Sequence, residues 1–368
     1  MPAITLAICG NQISISARSP RLTRLFADYF RYYNPHTIST TDTPQLLAAK
    51  SVFQPDIKIE LRMRDALPAR EVLIPPSAEL FSQTGVLSMW IEKLEGRKES
   101  AIRNPQSAIS EDRFYFHMGV AAFRVDIETG QIVGLVTPEA MQYPHILANT
   151  YALFSLLLML RSRRLYHLHA AAIVSPTNEL WLVCGAQRAG KTTLTTALGL
   201  AGWQPVSDDS LLVGSDEASA FLTPLKKYFH VGDQLFDRWP TLNEATKHHQ
   251  YLDRTCIGGL EFFGARELAE TRFRKIDHIV LPQIVNEPFS RLEPIPRSEA
   301  LLRLAEQSMF FQLWRDHTAS QWQWLNQLAA NAQCHRLFSA ADLLANPQTS
   351  AKILSQPIGS SEQKSKGY

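Results

Sequence analysis

The spacing of hydrophobic residues indicates mainly strands in the first part of the chain. From Ile57 to Met63, apolar residues alternate with charged ones, a pattern typical of a strand with one buried face. Gly10-Asn11 separates two short apolar runs and predicts a hairpin turn. Strands are predicted at 5–9, 12–17, 56–64, 114–116, 121–127 and 132–136, and a helix at 21–33. This mixture, with a polar loop over 97–110, predicts an α+β domain.

The pattern changes after an apolar helix predicted at 145–160. Strands are predicted at 168–174, 180–184, 204–206 and 276–284, a hairpin at 211–222, and helices at 192–200, 298–311 and 321–332. Buried strands that alternate with helices are typical of an α/β fold. We therefore expect a smaller α+β domain over residues 1–140, an α/β domain over 141–355, and a flexible tail over 356–368, which is rich in Ser, Lys and Gly.

Composition narrows the class of protein. The 368 residues are 45% hydrophobic and 20% charged, and the net charge of +2 is too small for a dedicated nucleic-acid-binding protein. Four widely separated cysteines argue against a disulfide framework or a cysteine zinc site. The first residues lack a signal-peptide pattern, and the apolar stretch at 151–160 is shorter than the roughly 20 residues that span a bilayer. We expect a cytoplasmic protein with no nucleic-acid or membrane partner.

The most specific chemical signal is a glycine-containing loop between a predicted strand and a predicted helix. Its residues are Gly185, Ala186, Gln187, Arg188, Ala189, Gly190, Lys191 and Thr192, with Thr193 following. The pattern G-x-x-x-x-G-K-[ST] surrounds a polyphosphate with backbone N–H groups, and its glycines keep side chains out of the way. Lys191 would contact the β- and γ-phosphates, and the Thr192 hydroxyl would coordinate Mg²⁺. We therefore predict an ATP–Mg²⁺ site over residues 185–193.

Two neighbouring elements carry further polar side chains. Asp208-Asp209 follow the predicted strand at 204–206, and if this strand is parallel to the one at 180–184, both carboxylates reach the ligand edge of the sheet. A simple turn is the alternative, because Asp-Asp-Ser also favours turns. His167 and His169 are two residues apart, which places them on one face of a strand. For each histidine, a hydrogen-bonded structural role is the alternative to a site role.

The order of a histidine strand, the loop at 185–193, Gly202-Trp203 and Asp208-Asp209 resembles the catalytic domain of the HPr kinase/phosphorylase family. Related HPr-kinase-like bacterial proteins, some encoded with peptide-modification pathways, look closer still. The resemblance covers residues 165–215 well and does not reach the first 140 residues. It implies a P-loop kinase domain on the fold shared with phosphoenolpyruvate carboxykinases, and transfer of the γ-phosphoryl group of ATP to a serine hydroxyl.

The same resemblance implies roles for individual residues. Lys191 matches the phosphate-loop lysine and Thr192 the Mg²⁺ ligand. Asp208 matches the carboxylate that accepts the hydroxyl proton, and Asp209 the carboxylate near the metal. His169 matches the family histidine beside the active site. The catalytic residues are thus expected to be Asp208, His169 and Lys191.

Two departures from the family pattern leave the acceptor open. The Glu-x-Arg-Gly-x-Gly signature is missing downstream, where the chain reads Gly258-Gly259-Leu260-Glu261, and Gln187-Arg188 replaces a Ser-Gly type sequence. Without the signature arginine, Arg188 and the pair Lys226-Lys227 are the candidate cations for the transferring phosphoryl group.

Two functions of different classes remain. One is an ATP-dependent kinase that phosphorylates a hydroxyl of a peptide, small protein or small molecule, with the first domain selecting the acceptor. The other is an ATP-binding interaction module that transfers nothing. The tandem Asp208-Asp209 favours the kinase, because a switch needs a carboxylate for the metal but no proton acceptor. A GTPase is disfavoured by the lack of an Asn-Lys-x-Asp motif, and homo-oligomerisation is left open.

Overall fold

The structure is a computed structural model of mixed α/β class with several sheets. It describes residues 3–17, 19–30, 38–39, 56–84, 87–93, 112–216, 219–226, 228–251, 253–311 and 313–355. The predicted loop at 97–110 and the predicted tail at 356–368 lie outside these residues. Internal contacts divide the chain into two units, Met1–Leu165 and Tyr166–Tyr368. None of the described helices has the length and apolar character needed to cross a membrane.

The first unit is built on a nine-stranded sheet. Its strands are β1 (Ala3–Ile8), β2 (Asn11–Ala17), β3 (Ile38–Ser39), β4 (Ile57–Met63), β5 (Glu79–Thr84), β6 (Leu87–Glu92), β7 (Arg113–His117), β8 (Ala121–Asp126) and β9 (Gln131–Val136). Their order is β3-β1-β2-β4-β9-β8-β7-β6-β5. The pairs β2–β4 and β4–β9 are parallel, and the other pairs are antiparallel. The strands predicted in this part of the chain are confirmed, whereas β3, β5 and β6 were not predicted.

The predicted hairpin forms, with its turn one residue earlier than expected. Cys9 and Gly10 have φ values of 49° and 84°, so the turn needs two left-handed residues and glycine occupies the second of them. The first helix, α1, spans Pro20–Phe30, and residues 31–33 of the predicted helix lie outside the described part of the chain. A one-turn helix, α2, follows at Arg70–Leu73.

The long apolar helix belongs to the first unit, which ends at Leu165, whereas the first domain is predicted to end at residue 140. After a 3₁₀ turn (Glu139–Gln142), it consists of α3 (Pro144–Ile146), a π-helical segment (Leu147–Ala152) and α4 (Leu153–Ser162). Tyr151 is fully buried and its ring centroid lies 5.3 Å from that of Phe123 in β8. The apolar residues therefore cover the nine-stranded sheet, and the division between units falls after Leu165.

The second unit contains three sheets. Its strands are β10 (Tyr166–Leu168), β11 (Ala170–Val174), β12 (Leu180–Cys184), β13 (Gln204–Ser207), β14 (Leu211–Asp216), β15 (Ser219–Pro224), β16 (Phe229–Gly232), β17 (Lys247–Tyr251), β18 (Arg254–Ile257), β19 (His278–Ile284), β20 (Arg291–Pro294) and β21 (Gln333–Ser339). The central sheet has the order β13-β11-β12-β19-β21-β20, and two smaller sheets have the orders β10-β14-β15 and β16-β18-β17.

Helices cover the central sheet on both faces. The described helices of this unit are α5 (Lys191–Leu200), α6 (Gln234–Arg238), α7 (Gly259–Phe262), α8 (Arg297–Glu306), α9 (Arg315–Leu328), α10 (Ala341–Ala345) and α11 (Pro347–Leu354), with 3₁₀ turns at Pro240–Glu244 and Arg266–Glu270. Residues of α5 and α11 pack on one face, and residues of α8 and α9 pack on the other. This explains why β11 and β12 are apolar throughout, since a strand covered on both faces has no exposed side.

Strand directions bring four strand ends to one edge of the central sheet. β12 is parallel to β19, and β11 lies antiparallel between β12 and β13. β12 and β13 therefore run in the same direction, although they are not neighbours. This is the condition under which both carboxylates were expected to reach the ligand edge of the sheet. The ends of β12, β13 and β19 and the start of β11 meet at this edge, which we call the loop edge.

The strand predicted at 168–174 is interrupted at His169. β10 pairs with β14 in a small sheet, whereas β11 joins the central sheet, so the chain changes sheets at this residue. The His169 N–H donates to the carbonyl of Gln307 at 2.9 Å, just after α8. The two predicted C-terminal helices also differ in extent, because the first ends at Glu306 instead of at residue 311, and the second spans Arg315–Leu328 instead of 321–332. The interruption places His169 at the loop edge.

Candidate functional site

The 185–190 loop joins β12 to α5 at the loop edge. Gly190 has a φ of 96°, which only glycine adopts without strain, and Arg188 is also left-handed with a φ of 66°. A side chain at Gly185 would lie 3.1 Å from Cβ of Ala189. The loop therefore turns tightly before α5. Gly190 is needed for its backbone conformation, and Gly185 is needed because a side chain there would meet Ala189.

Lys191 closes this loop with its own ammonium group. Its Nζ donates to the carbonyls of Gly185 at 2.7 Å and Ala186 at 3.1 Å, and the side chain is 6% exposed. Burial lowers the pKa of Lys191, while its interactions with Cys184, Asp209 and Asp208 act in the opposite direction. A buried cation at the first residue of a helix adds to the positive potential of that helix N-terminus.

A tight turn after β13 presents the carboxylate pair. The Ser207 hydroxyl donates to the carbonyl of Ser210 at 2.9 Å and accepts from the Ser210 N–H at 3.1 Å. Asp208, 1% exposed, accepts the backbone N–H of His230 at 2.8 Å through Oδ2. Asp209 Oδ2 lies 3.6 Å from Nζ of Lys226. Asp208 Oδ1 and Asp209 Oδ1 are buried and accept no hydrogen bond from any described residue.

The two carboxyl groups have opposite pKa shifts. Burial, reinforced by the neighbouring charge of Asp209, raises the pKa of Asp208 well above its usual range. Burial also acts to raise the pKa of Asp209, but Lys226, followed by His230 and His169, outweighs it and holds this pKa below its usual range. Asp209 is therefore the carboxyl group that favours the anion, and Asp208 is the better proton acceptor of the two.

The two histidines near β10 have different surroundings. Nε2 of His167 lies 2.8 Å from the Ser210 hydroxyl, and burial, with Lys226 nearby, lowers its pKa to about 3. His167 is therefore a neutral residue that supports the turn. His169 lines the same cleft as Lys191 and Asp209, and burial lowers its pKa while Asp209 acts to raise it. The two histidines, which the strand pattern placed on one face, therefore differ in their surroundings: His167 contacts Ser210, and His169 lines the cleft.

These segments enclose a cleft of about 670 Å³ at the loop edge. Its walls include His169, Gln187, Arg188, Gly190, Lys191, Thr192, Thr193, Asp209, His230, Gly232, Gln234, Leu235, Asp253, Arg254, Ile284 and Gln307. The volume falls within the range of small-molecule and cofactor sites. Asp208 is buried and is absent from these walls. Of the candidate cations, Arg188 lines the cleft, Lys226 contacts Asp209, and Lys227 lies outside the described residues.

Among the polar residues of the cleft that the sequence did not predict, two carry a nitrogen base or a charge suited to the site. His230 is in β16 and Arg254 is in β18, and the pairing of these strands carries both to the cleft. Arg254 is close enough to Lys191 to lower its pKa, although by less than burial does. Neither residue belongs to a local motif, so no signal in the sequence pointed to them.

Asp208, Asp209 and His230 form a group that could hold a metal ion. One ligand atom of each lies within 4.8 Å of the others. The Thr192 hydroxyl lines the same cleft, so oxygen donors suited to Mg²⁺ are present where the sequence analysis expected them. The residues of this edge therefore fit a divalent cation.

Comparison with known proteins adds little to this geometry. No protein-family model and no curated protein matches the chain. Among solved structures, the HPr(Ser) kinase/phosphatase from Coxiella burnetii is similar with 12% identity and a TM-score of 0.25, over 49% of this chain and 88% of that one. Similarity at this level carries no argument about function, so the site itself must supply it.

Proposed function

We propose that the protein is an ATP-dependent kinase that transfers the γ-phosphoryl group to a hydroxyl. The observation that carries this proposal is the convergence of the 185–190 loop, Lys191, Thr192 and the Asp208-Asp209 turn on one cleft. These segments follow two separate strands that end at the same edge of the central sheet. An open α/β sheet places its ligand at such an edge.

The loop and Lys191 are proposed to bind the polyphosphate of ATP. The Lys191 ammonium already lies over the loop carbonyls at 2.7 and 3.1 Å, so only its side chain must turn to meet the β- and γ-phosphates. Backbone N–H groups of the loop and the first turn of α5 supply further donors. Glycine at position 190 allows the chain to reverse there without strain.

Thr192 and Asp209 are proposed to hold Mg²⁺. The bound ion would neutralise negative charge on the β- and γ-phosphates. Asp209 suits this role because it lines the cleft and because its lowered pKa keeps it ionised. Its buried Oδ1 is also left without a hydrogen bond from any described residue.

Asp208 is proposed to accept the proton of the acceptor hydroxyl. The hydroxyl oxygen forms a bond to the γ-phosphorus, the bond from that phosphorus to the β–γ bridging oxygen breaks, and ADP leaves. Asp208 is 1% exposed, so its Oδ1 must be reached in the substrate complex, where catalytic hydrogen bonds often first form. Its raised pKa suits a proton acceptor better than the lowered pKa of Asp209.

Arg188 and Arg254 are proposed to stabilise the charge on the transferring phosphoryl group. Both line the cleft, and Arg254 is close enough to Lys191 for their charges to interact. Phosphoryl transfer depends mainly on positioning and on such cations. Arg254 thereby fills the role left open by the missing downstream signature. His169, beside Asp209, is proposed to orient that carboxylate and the acceptor.

Transfer of label from ATP tests this proposal. The full-length protein is incubated with γ-labelled ATP, Mg²⁺ and proteins encoded beside its gene, and the products are examined by mass spectrometry. We expect a phosphorylated serine or other hydroxyl with the wild type and none with Asp208→Asn. Tight ATP binding without transfer of the labelled phosphoryl group to any acceptor, including water, would instead favour the ATP-binding interaction module.

A further inference from the structure

The cation site at the loop edge contains a nitrogen donor, which the sequence did not predict. His230 and Asp209 both line the cleft, and ligand atoms of His230, Asp209 and Asp208 lie within 4.8 Å of one another. His169, although it lines the same cleft, is not part of this set. The imidazole grouped with the carboxylate pair is therefore the one on β16.

The position of His230 is fixed by the carboxylate pair itself. Asp208 Oδ2 accepts the His230 backbone N–H at 2.8 Å, and Asp208 is 1% exposed. The pairing of β16 with β18 holds the same residue from the other side, with His230 opposite Cys256. The backbone that carries this imidazole is therefore held both by strand pairing and by a buried carboxylate.

A buried acceptor points to a cation at this place. Asp208 Oδ1 and Asp209 Oδ1 are buried, and neither accepts a hydrogen bond from a described residue. Lys226 contacts the other oxygen of Asp209, at 3.6 Å, and so does not satisfy these two atoms. Buried carboxylate oxygens that lack donors are stabilised by a positive ion.

We propose that His230 and Asp209 are direct ligands of a first-row transition-metal dication, such as Mn²⁺, and that this ion binds in the absence of nucleotide. Asp208 acts as a positioning residue for His230 and keeps its Oδ1 for the acceptor proton. The donor set explains the preference, because Mg²⁺ favours oxygen ligands alone, whereas imidazole nitrogen strengthens binding of transition metals. The inference refines the cation part of the proposed function and does not depend on phosphotransfer.

Pulsed electron paramagnetic resonance of Mn²⁺ added to the nucleotide-free, full-length protein tests this assignment. A directly bound imidazole gives ¹⁴N modulation of the Mn²⁺ echo. We expect this modulation in the wild type and in His248→Ala, which removes a histidine that packs on Tyr228 outside the cleft walls. We expect its loss in both His230→Gln and His230→Ala, with Mn²⁺ affinity lowered at least about tenfold.

Competition with Mg²⁺ gives the second measurement. The wild type should bind Mn²⁺ at least about tenfold more tightly than Mg²⁺, and His230→Gln should remove most of this difference. Circular dichroism spectra of the two His230 variants establish that they fold. Absence of ¹⁴N modulation in the wild type, its persistence in both folded variants, or equal Mn²⁺ and Mg²⁺ affinities would overturn the assignment. Failure of phosphotransfer alone would leave the modulation unchanged, so the two proposals fail separately.

Discussion

At the scale of single residues, burial changes the chemistry of a few side chains in the candidate site. Lys191 is a cation with 6% exposure whose ammonium is held by two loop carbonyls. A charged donor in such a place exchanges readily onto a phosphate, because the phosphate oxygens carry full negative charge and the carbonyls do not. Its removal should therefore weaken nucleotide binding more than it disturbs the fold.

Lys191→Ala should lower the affinity for Mg²⁺–ATP by about 1.5–3 kcal/mol, the usual contribution of a hydrogen bond to a charged group. Isothermal titration calorimetry measures this difference. Lys275→Ala is the matched control, because Lys275 is an exposed lysine of the same unit that pairs with Asp277 outside the cleft walls. Equal affinities of the wild type and Lys191→Ala would exclude the loop as the phosphate site.

Substitution of the two aspartates should separate proton acceptance from cation binding. Asp208→Asn should keep nucleotide affinity and slow transfer by about 10²–10⁴-fold, because an amide cannot accept the proton. The amide oxygen can still receive the His230 N–H, so the local fold is preserved. Asp209→Asn should raise the metal concentration needed for half-maximal transfer. Identical responses of both variants in metal titrations and transfer assays would contradict the division of roles.

At the scale of elements, local sequence predicted the segments that carry the site better than it predicted their surroundings. The strand at 180–184, the loop and the following helix are local patterns, and all three form at the expected place. The break at His169 has no local signal, because the change of sheet depends on pairing with β14 and β12. His230 and Arg254 were missed for the same reason, since strand pairing brings them to the cleft.

One stack of rings across three strands makes a prediction about pH. Trp181, His278 and His335 lie on β12, β19 and β21, with centroids 3.7 Å apart for the first pair and 5.8 Å for the two histidines. Burial, with His278 beside it, lowers the pKa of His335 to about 4. The unfolded chain, with a histidine pKa of about 6.5, binds protons first as pH falls. Stability is therefore lost between about pH 6.5 and 4.

His335→Phe should reduce this loss. Neither ring nitrogen of His335 has a hydrogen-bond partner among the described residues, so phenylalanine removes two unsatisfied polar atoms and keeps the ring. The free energy of unfolding in urea, measured at pH 7.5, 6 and 5, should fall less steeply with acidity than in the wild type. The same pH dependence in both proteins would show that His335 does not contribute to it.

At the scale of the whole molecule, the chain divides into two units after Leu165, and every residue placed in the cleft belongs to the second. The first unit has the nine-stranded sheet. We therefore expect it to select the acceptor. The sequence could not place the division, because the apolar helix at 144–162 has the same hydrophobic pattern whichever sheet it covers.

Truncation at the observed division tests this expectation. A chain that begins at Tyr166 should bind Mg²⁺–ATP with the affinity of the full-length protein, because it contains the loop and both aspartates. It should lose phosphorylation of the acceptor, since contacts far from the reacting atoms supply the energy for orientation. Calorimetry and a label-transfer assay measure the two properties. Full acceptor phosphorylation by the shorter chain would exclude a selecting role for the first unit.

A crystal structure of the full-length protein with Mg²⁺ and a non-hydrolysable ATP analogue tests the central claim most directly. We predict that the triphosphate lies along residues 185–193, with Lys191 on the β- and γ-phosphates and the terminal phosphate facing Asp209. The metal should be in contact with Thr192 and Asp209. An analogue bound elsewhere, or a triphosphate in the cleft whose terminal phosphate points away from the aspartate pair, would contradict the assignment of this site to phosphoryl transfer.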